Sequence, residues 1–436
     1  MVTHNANPGS APWLETHVTT PVPTAPATAA QRSVWPLVVV LAVIVLLPVG
    51  RVSELPLAIG AVTALMLLAR GRIDPRRDGA MRLGALLFAC YWIPALVSGA
   101  AAVSPAKTWS TIASLLRFLP FALFAVWAMR EAQRWSAAWT AVAMVVSLWI
   151  LDAFVQILTG YSLGGAAEAE RLSGIFGAGN LKLGPVLAVL SPFVLLTARD
   201  RFGWRGLAFA FVFLGVPILL AGSRAAWLMY ALVCLVVAWQ ETRSKRAFLL
   251  AIAVAAMLIG GVAALALRDS QGFDARVART LLLFEGTESA IDAASAGRLS
   301  IWRTAAMMWR AHPVSGVGVR GFRYAYPDYA APDDRFVDTS SDTGASHAHQ
   351  IVLEVLSETG GIGLLFWIAG AVLALRAWRR ADASARERAR APALALLAMC
   401  FPLNTHFAFY SAWWGLLFWW LLAHYCAALG EDASST

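Results

Sequence analysis

The sequence has little charge. Only 14% of its 436 residues are Asp, Glu, Lys or Arg, whereas 59% are apolar. A soluble domain is about 25% charged and about 45–50% apolar, so this composition excludes an ordinary soluble protein. The apolar residues lie in nearly uncharged blocks of about 17–22 residues, the length with which a helix crosses a hydrocarbon core of ~30 Å. The composition therefore predicts a polytopic membrane protein.

Cysteine and recognisable cofactor motifs are also scarce. The four cysteines all lie inside apolar blocks and form no CxxC pair, which indicates small core side chains and excludes a disulfide framework or a zinc site. The chain has no Walker A sequence for a nucleotide and no cluster of carboxylates for a divalent metal. We therefore expect no cofactor, no metal and no nucleotide.

Basic residues outnumber acidic ones, 35 to 26, and give a net charge of +9. They concentrate in alternate connections between apolar blocks, which is the positive-inside pattern of membrane proteins. The charge thus indicates orientation and not nucleic-acid binding, and both termini are predicted to be cytoplasmic. Twelve apolar blocks are predicted to span the membrane, at 34–50, 54–70, 83–103, 111–129, 137–159, 181–198, 206–222, 224–240, 247–267, 350–378, 392–408 and 410–428.

These blocks divide the chain into five parts. The expected parts are a disordered cytoplasmic tail (1–33), spans one to nine (34–267), a large outer segment (268–349), spans ten to twelve (350–428) and a short cytoplasmic tail (429–436). Within the outer segment, apolar residues at helical spacing from Gly297 to Trp309 predict a helix, and the glycines that follow predict a turn.

Two histidines stand immediately before the tenth span. If Ser346 caps the helix, His347 and His349 lie in its first turn on the outer side, where the helix dipole favours a neutral imidazole that can accept a proton. The same helix end attracts phosphate. A general base is one interpretation, and hydrated loop side chains or metal ligands are the alternatives.

Three arginines accompany the histidines on the outer side: Arg171, Arg224 and Arg298. Arg224 lies between two apolar blocks with almost no loop, where an unpaired charge is costly. A guanidinium matches phosphate oxygens in a bidentate manner, so a diphosphate is a natural partner. Arginines that extend toward lipid head groups are the alternative.

Four further ionisable residues lie within the spans. Arg117 and Asp152 are at one depth with opposite signs, which favours a structural ion pair over substrate contact. Glu354 and Glu358 are one helical turn apart below the histidines. They are interpreted as a solvated face of a cavity or, alternatively, as an acid and base pair.

The run from His347 through His349 and Gln350 to Gly363, preceded by the motifs Gly297–Trp302 and Pro313–Gly318, resembles the core of the O-antigen ligase and polymerase superfamily. The resemblance covers roughly residues 160–365. Twelve spans with one large loop before the tenth are similar to the ligase branch. The chain departs from the family in having Gln350 where Asn is frequent and Gly179 where Pro is common.

This resemblance implies an all-α, GT-C-like glycosyltransferase of the bacterial inner membrane, with its active site facing the periplasm. It implies transfer of a glycan from undecaprenyl diphosphate to a sugar hydroxyl of lipid A-core without metal, nucleotide or nucleic acid. It also implies that His349 is the general base and that Arg224 and Arg298 contact the diphosphate during catalysis. The implied substrate-binding residues are Arg171, His347, Asn180 and Trp302.

The sequence leaves other functions open. A polymerase of the same superfamily is expected to have two sizeable periplasmic loops with related motifs, and a protein O-oligosaccharyltransferase is expected to have a longer C-terminal region. A membrane transporter, which belongs to another class, would use Arg117 and Asp152 along its path and would show inverted repeats. No such repeat is apparent in the sequence.

Overall fold

The protein is helical almost throughout the part that the structure describes. The computed structural model describes residues 33–132, 134–167, 171–242, 295–402, 404 and 407–430, together with isolated positions between 244 and 292. The predicted tails at 1–33 and 429–436 and the predicted ninth span at 247–267 lie largely outside the described residues.

Thirteen α-helices lie within the continuous described ranges, together with one short hairpin of two strands. In chain order, the helices are α1 (Trp35–Val45), α2 (Glu54–Ala69), α3 (Gly79–Ser98), α4 (Pro105–Leu115), α5 (Phe118–Ala132), α6 (Trp135–Thr159), α7 (Leu183–Leu220), α8 (Arg224–Glu241), α9 (Arg298–Ala311), α10 (Phe322–Tyr329), α11 (Ile351–Arg380), α12 (Ala383–Cys400) and α13 (Ala412–Leu429). The strands β1 (Tyr161–Ser162) and β2 (Gly165–Ala166) pair antiparallel between α6 and α7.

The protein is an all-α, multi-pass membrane protein, as the composition predicted. Eleven of the twelve predicted ranges fall on helices, and within the described residues seven helices are long and apolar enough to cross a membrane. The predicted fourth span is two helices, α4 and α5, and the predicted eleventh begins nine residues too late because Asp382 caps α12 through the N–H of Ala385. The number of crossings stays a prediction.

Helix α7 contains two predicted spans because it folds back on itself. Its backbone breaks at Gly203, which has φ +65° and ψ −154°. A Cβ placed on Gly184 would lie 3.0 Å from the Cβ of Ala221, at the opposite end of the helix. Two ends 37 residues apart in sequence therefore meet, so α7 is an antiparallel hairpin of two spans.

Helix α13 lies at the centre of the bundle. Every residue from Trp414 to Leu429 is buried, and the helix packs against α3, α5 and α12. A helix that is apolar all round has no polar face to turn toward water and is buried for that reason. The side chains of Trp419 and Trp420 are fully buried in this core.

A second, smaller core lies at the end of the bundle where residues 295–350 are found, which we call the outer end. Helices α9 and α10 pack together there, and the predicted helix followed by a glycine-rich turn is confirmed over α9 and residues 312–318. The buried residues of this core are Ile301, Ala305, Met308, Val317, Phe322, Ala325, Tyr326, Ala345 and Ala348.

Helix α11 is broken at Gly360, which has φ +65° and ψ −163°. The segment 313–320 fills the break: the N–H of Gly361 donates to the carbonyl of Pro313 at 2.8 Å, and the N–H of Val317 donates to the carbonyl of Ser357, also at 2.8 Å. Backbone groups that the helix itself leaves unpaired are thereby satisfied inside the protein. This exchange joins the outer core to the bundle.

Candidate active site at the outer end

Helix α9 presents Arg298 and Trp302 on one face, because they are four residues apart. Asp292, which precedes the helix, stabilises its first turn by accepting hydrogen bonds from the N–H groups of Leu299 and Ser300 at 3.1 and 3.3 Å. Gly297 precedes Arg298 with φ +80°, a conformation that glycine adopts without a steric cost. The local geometry thus determines where the Arg298 side chain leaves the backbone.

Arg298 and Arg224 are both predicted site residues and are far apart in the sequence. In the structure they lie close enough for their positive charges to repel each other. Burial lowers the pKa of Arg298, and the positive charge of Arg224 lowers it further, to about 10. Arg298 therefore remains protonated at neutral pH while the surroundings disfavour its charge. An anion bound between the two side chains would offset both the cost of burying the Arg298 charge and its repulsion from Arg224.

Arg224 is the first residue of α8. Ser223 caps this helix by accepting a hydrogen bond from the N–H of Ala226 at 3.4 Å, and Gly222 makes the preceding turn with φ +67°. The helix start therefore holds Arg224 at the outer end. Positive charge from the helix N-terminus adds to that of the side chain, which favours an anionic ligand.

The two histidines are neighbours, with ring centroids 3.9 Å apart. Ala348 between them is fully buried in the outer core beside α9 and α10, and His349 has φ +52°. Because the chain is anchored at Ala348, the histidine rings are placed on the same segment that packs against the helix of Arg298. His347 and His349 belong to one cluster at the outer end.

The predicted cap by Ser346 is wrong. Helix α11 begins at Ile351, and Gln350 caps it by accepting a hydrogen bond from the N–H of Leu353 at 2.5 Å. Both histidines thus precede the helix and do not lie in its first turn. Ser346 Oγ instead lies 2.9 Å from Nδ1 of His347, a hydrogen-bond distance. The side-chain oxygen of Gln350 thus bonds the third helical N–H, as the hydroxyl of Ser223 does at the start of α8.

The interpretation of Glu354 and Glu358 as a solvated face is also wrong. Both side chains have no exposed surface. Glu354 accepts a hydrogen bond from the N–H of Phe409, and Glu358 accepts one from the N–H of Arg320, each at 2.9 Å. These carboxyl groups therefore anchor two loops to α11, and nothing in their contacts assigns them an acid and base role.

The predicted ion pair between Arg117 and Asp152 does not form. Arg117 lies 3.5 Å from Glu54, whereas Asp152 accepts a hydrogen bond from the N–H of Leu163 at 2.7 Å. Asp152 thus stabilises the connection between α6 and α7, residues 160–182, which we call the smaller outer loop. Equal depth in the membrane did not determine pairing, because Arg117 lies in the turn between α4 and α5 whereas Asp152 lies on α6, and the two have different neighbours.

The smaller outer loop is docked against the α7–α8 turn. Gln156 accepts hydrogen bonds from the N–H groups of Ser173 and Gly174, at 3.1 and 2.7 Å, and the N–H of Leu172 donates to the carbonyl of Leu220 at 3.3 Å. This last bond places the neighbouring Arg171, which is exposed, beside the turn that leads to Arg224.

Two of the predicted substrate-binding residues have informative surroundings. The amide of Asn180 donates to the carbonyl of Phe176 and accepts from the N–H of Lys182, both at 3.1 Å, so it shapes the loop. The indole N–H of Trp302 is buried and has no acceptor among the residues that the structure describes. A buried donor without an acceptor is costly, and a bound ligand oxygen would satisfy it. Substrate binding by either residue stays a prediction.

Sequence reasoning missed Lys182. It lies at the start of α7, with its ammonium 4.3 Å from the centroid of the Trp413 ring. The only signal was its position, since it is a lysine at the outer edge of the predicted span 181–198. Among the described residues, no group of three or more His, Cys, Asp or Glu side chains could hold a metal ion.

An apolar cavity of about 470 Å³ lies deeper in the bundle, between α3, α8, α11, α12 and α13. Tyr91 and Phe409 line it toward the outer end, and Trp378 and Arg390 line it toward the opposite end. The hydroxyl of Tyr91 donates to the carbonyl of Phe409 at 3.0 Å. The N–H of Phe409 in turn donates to Glu354 of α11 at 2.9 Å, so hydrogen bonds hold the outer edge of the cavity in place.

Comparison with known proteins agrees with the geometry. No curated protein matches the chain. The O-antigen ligase family model matches residues 209–368, which contain Arg224, Arg298 and both histidines. The resemblance found in the sequence motifs is thus supported over the segment that builds the outer site, since residues 209–368 match the O-antigen ligase family.

Proposed function

We propose that the protein is an O-antigen ligase that transfers a glycan from undecaprenyl diphosphate to a sugar hydroxyl of lipid A-core. The reaction takes place at the periplasmic face of the bacterial inner membrane. The observation that carries the proposal is the proximity of Arg298 and Arg224, whose charges affect each other at the outer end of a segment that matches the O-antigen ligase family.

In the proposed reaction, His349 accepts the proton of the acceptor hydroxyl. The hydroxyl oxygen then forms a bond to the anomeric carbon of the glycan while the bond from that carbon to the diphosphate oxygen breaks. The electron pair leaves with undecaprenyl diphosphate, and the anomeric centre is inverted. A positioned general base of this kind contributes about 10²–10⁴-fold to the rate.

Arg224 and Arg298 neutralise the negative charge that develops on the departing diphosphate. Partial burial strengthens their effect, because charges interact more strongly where water is excluded. Arg171 and Trp302 are proposed to contact the same group or the first sugar, and His347 and Asn180 are proposed to shape the site around it. The desolvation that lowers the pKa of Arg298 supports a site made for an anion.

The polyprenyl tail requires apolar volume within the bundle. The cavity of about 470 Å³ is lined mainly by apolar side chains, and Tyr91 and Phe409 line its outer end. We propose that part of the tail occupies it. Lipid itself is then the second partner of the protein, along with the glycan donor and the lipid A-core acceptor.

A purified assay with a defined undecaprenyl-diphosphate glycan and lipid A-core tests the role of His349. We expect His349→Ala to lower the transfer rate by at least about 100-fold, because the base is lost, while the donor still binds. The matched control is His312→Gln, since His312 lies in the same outer segment and contacts Tyr329 at 3.0 Å. Transfer by His349→Ala at the wild-type rate would contradict the proposed mechanism.

Lipopolysaccharide from a deletion strain separates the ligase from the alternatives. A missing ligase leaves full-length chains on undecaprenyl diphosphate, whereas a missing polymerase leaves single repeat units on the lipopolysaccharide. Loss of glycoproteins with normal lipopolysaccharide indicates a protein O-oligosaccharyltransferase. Solute accumulation in vesicles without any glycan product indicates a transporter.

A further inference from the structure

Lys182 lies next to the start of α8 although the two are far apart in sequence. The hairpin of α7 brings Gly184 so close to α8 that a Cβ placed on it would lie 3.3 Å from the Cβ of Ala226. Lys182 precedes Gly184 by two residues, and Arg224 precedes Ala226 by two residues. Both cations therefore stand at the outer ends of neighbouring helices.

The Lys182 ammonium lies over the ring of Trp413. Its ammonium lies 4.3 Å from the centroid of Trp413, a geometry in which the ring face attracts the cation. Trp413 is the second residue of α13, and its ring contacts that of Phe176 edge to face, with centroids 6.4 Å apart. The smaller outer loop and α13 thus position the Trp413 ring, and the ring in turn positions the Lys182 ammonium.

Lys182 has no acidic partner within ion-pair distance among the described residues. Its side chain is half-buried, and this burial lowers its pKa. Asp152, which packs near the same loop, accepts a hydrogen bond from the N–H of Leu163 with one of its carboxylate oxygens. A cation kept partly out of water without an acid beside it is costly unless a ligand supplies the negative charge.

Trp413 offers a second donor at the same place. Its indole N–H is buried and has no acceptor in the part of the chain that the structure describes. Native proteins leave few buried donors unsatisfied, so such a donor calls for an explanation. An ammonium over the ring face and an indole N–H at the edge of the same ring, neither with an acceptor among the described residues, match a ligand that carries several oxygen atoms and negative charge.

We propose that Lys182 and Trp413 bind the diphosphate of the lipid-linked donor, as a further cation and a further hydrogen-bond donor beside Arg224. The inference rests on the proposed function, since it assumes that a diphosphate enters the outer site. It assigns part of the binding to the smaller outer loop and α13, outside residues 209–368. Lys182 and Trp413 are binding residues, and no proton transfer is assigned to them.

Phospholipid head groups carry the same chemistry and could reach the same lysine. A phosphodiester head group has one negative charge, whereas a diphosphate has at least two, and two further arginines lie nearby in the proposed site. A cluster of several cations is therefore suited to the diphosphate. The test must separate these two sources of phosphate.

The experiment measures the binding of undecaprenyl diphosphate to the full-length protein in phosphatidylcholine nanodiscs, and in parallel the binding of phosphatidylglycerol. We expect Lys182→Met to weaken the binding of undecaprenyl diphosphate by about tenfold, the effect of losing one charge-assisted contact, and to leave phosphatidylglycerol binding unchanged. Trp413→Phe keeps the ring and loses the N–H, so we expect a fall of about threefold. Lys182→Arg should bind within about threefold of wild type.

Lys107 provides the matched control, because it is an exposed lysine on another predicted outer connection, so Lys107→Met should bind like wild type. Wild-type affinity in both Lys182→Met and Trp413→Phe would overturn the inference and leave the proposed function intact. An equal loss of phosphatidylglycerol binding would also overturn it, in favour of a head-group site. Failure of the wild-type protein to bind undecaprenyl diphosphate would remove the proposed function as well.

Discussion

The two halves of α11 lie in opposite surroundings. In the outer half, before Gly360, the side chains of Glu354 and Glu358 are fully buried. In the inner half the exposed side chains are large and apolar, and Leu365 is 68% exposed. This is the reverse of a soluble helix, because lipid is the solvent of the inner half and only the protein interior offers partners to polar groups.

The break at Gly360 makes this difference possible. An unbroken helix would pair its own backbone groups and leave no place for the segment 313–320 to dock. With the break, the N–H of Ile362 donates to the carbonyl of Val314 at 3.2 Å, and the N–H of Gly318 donates to the carbonyl of Glu358 at 3.0 Å. The outer half thereby becomes part of the outer site, while the inner half remains a membrane helix.

The largest effect is expected at the break itself. Gly360→Ala places a Cβ against the backbone of Val314 and Ser315 in a left-handed conformation, so we expect destabilisation by about 3 kcal/mol or more. Gly370→Ala is the control, since its Cβ would meet only Cys90 at 3.4 Å and Leu87 at 3.8 Å and should change stability by less than about 1 kcal/mol. Thermal unfolding of both variants in detergent measures the difference. Equal unfolding temperatures would show that the break is not required.

An intermediate effect is expected where the outer half anchors the loop at Arg320. Glu358→Ala leaves the N–H of Arg320 without its acceptor and should cost about 1–3 kcal/mol. Glu358→Gln keeps an acceptor oxygen and should cost less. The same unfolding measurement compares the two variants. If glutamine is as harmful as alanine, the charge of the carboxyl group matters more than this hydrogen bond.

The smallest effect is expected in the inner half. Leu365→Ala removes a side chain that faces lipid, and we expect a change below about 0.5 kcal/mol because lipid tails contact either residue equally well. Leu356→Ala, in the outer half, is the matched variant; Leu356 is only 8% exposed and its loss should cost about 2 kcal/mol. Similar losses in both variants would mean that the inner half packs against protein.

Sequence patterns predicted the helices well because the membrane imposes length and apolarity on every span. They did not predict which side chains contact each other. Arg117 pairs with Glu54 and not with Asp152, and Glu354 and Glu358 point into the protein and not toward a solvated cavity. Such choices depend on which helix faces which, and a single sequence without tertiary contacts does not contain that information.

For the candidate site, the sequence likewise predicted the residues but not the contacts between them. Arg224, Arg298 and His349 could be found from their residue types beside apolar blocks and from motif resemblance. The proximity of Arg224 to Arg298 became visible only in the structure. Lys182 was missed because its significance comes from the Trp413 ring, which is 231 positions away in the sequence.

The sequence by itself determined that the protein lies in a membrane and approximately where its helices are, since both follow from local composition. It also identified the cations and histidines that stand outside the apolar blocks. Only the tertiary structure decided which of them meet, because the hairpin at Gly203 and the break at Gly360 bring together residues that are distant along the chain. A site built from such contacts depends on packing, and packing is a property of the whole fold.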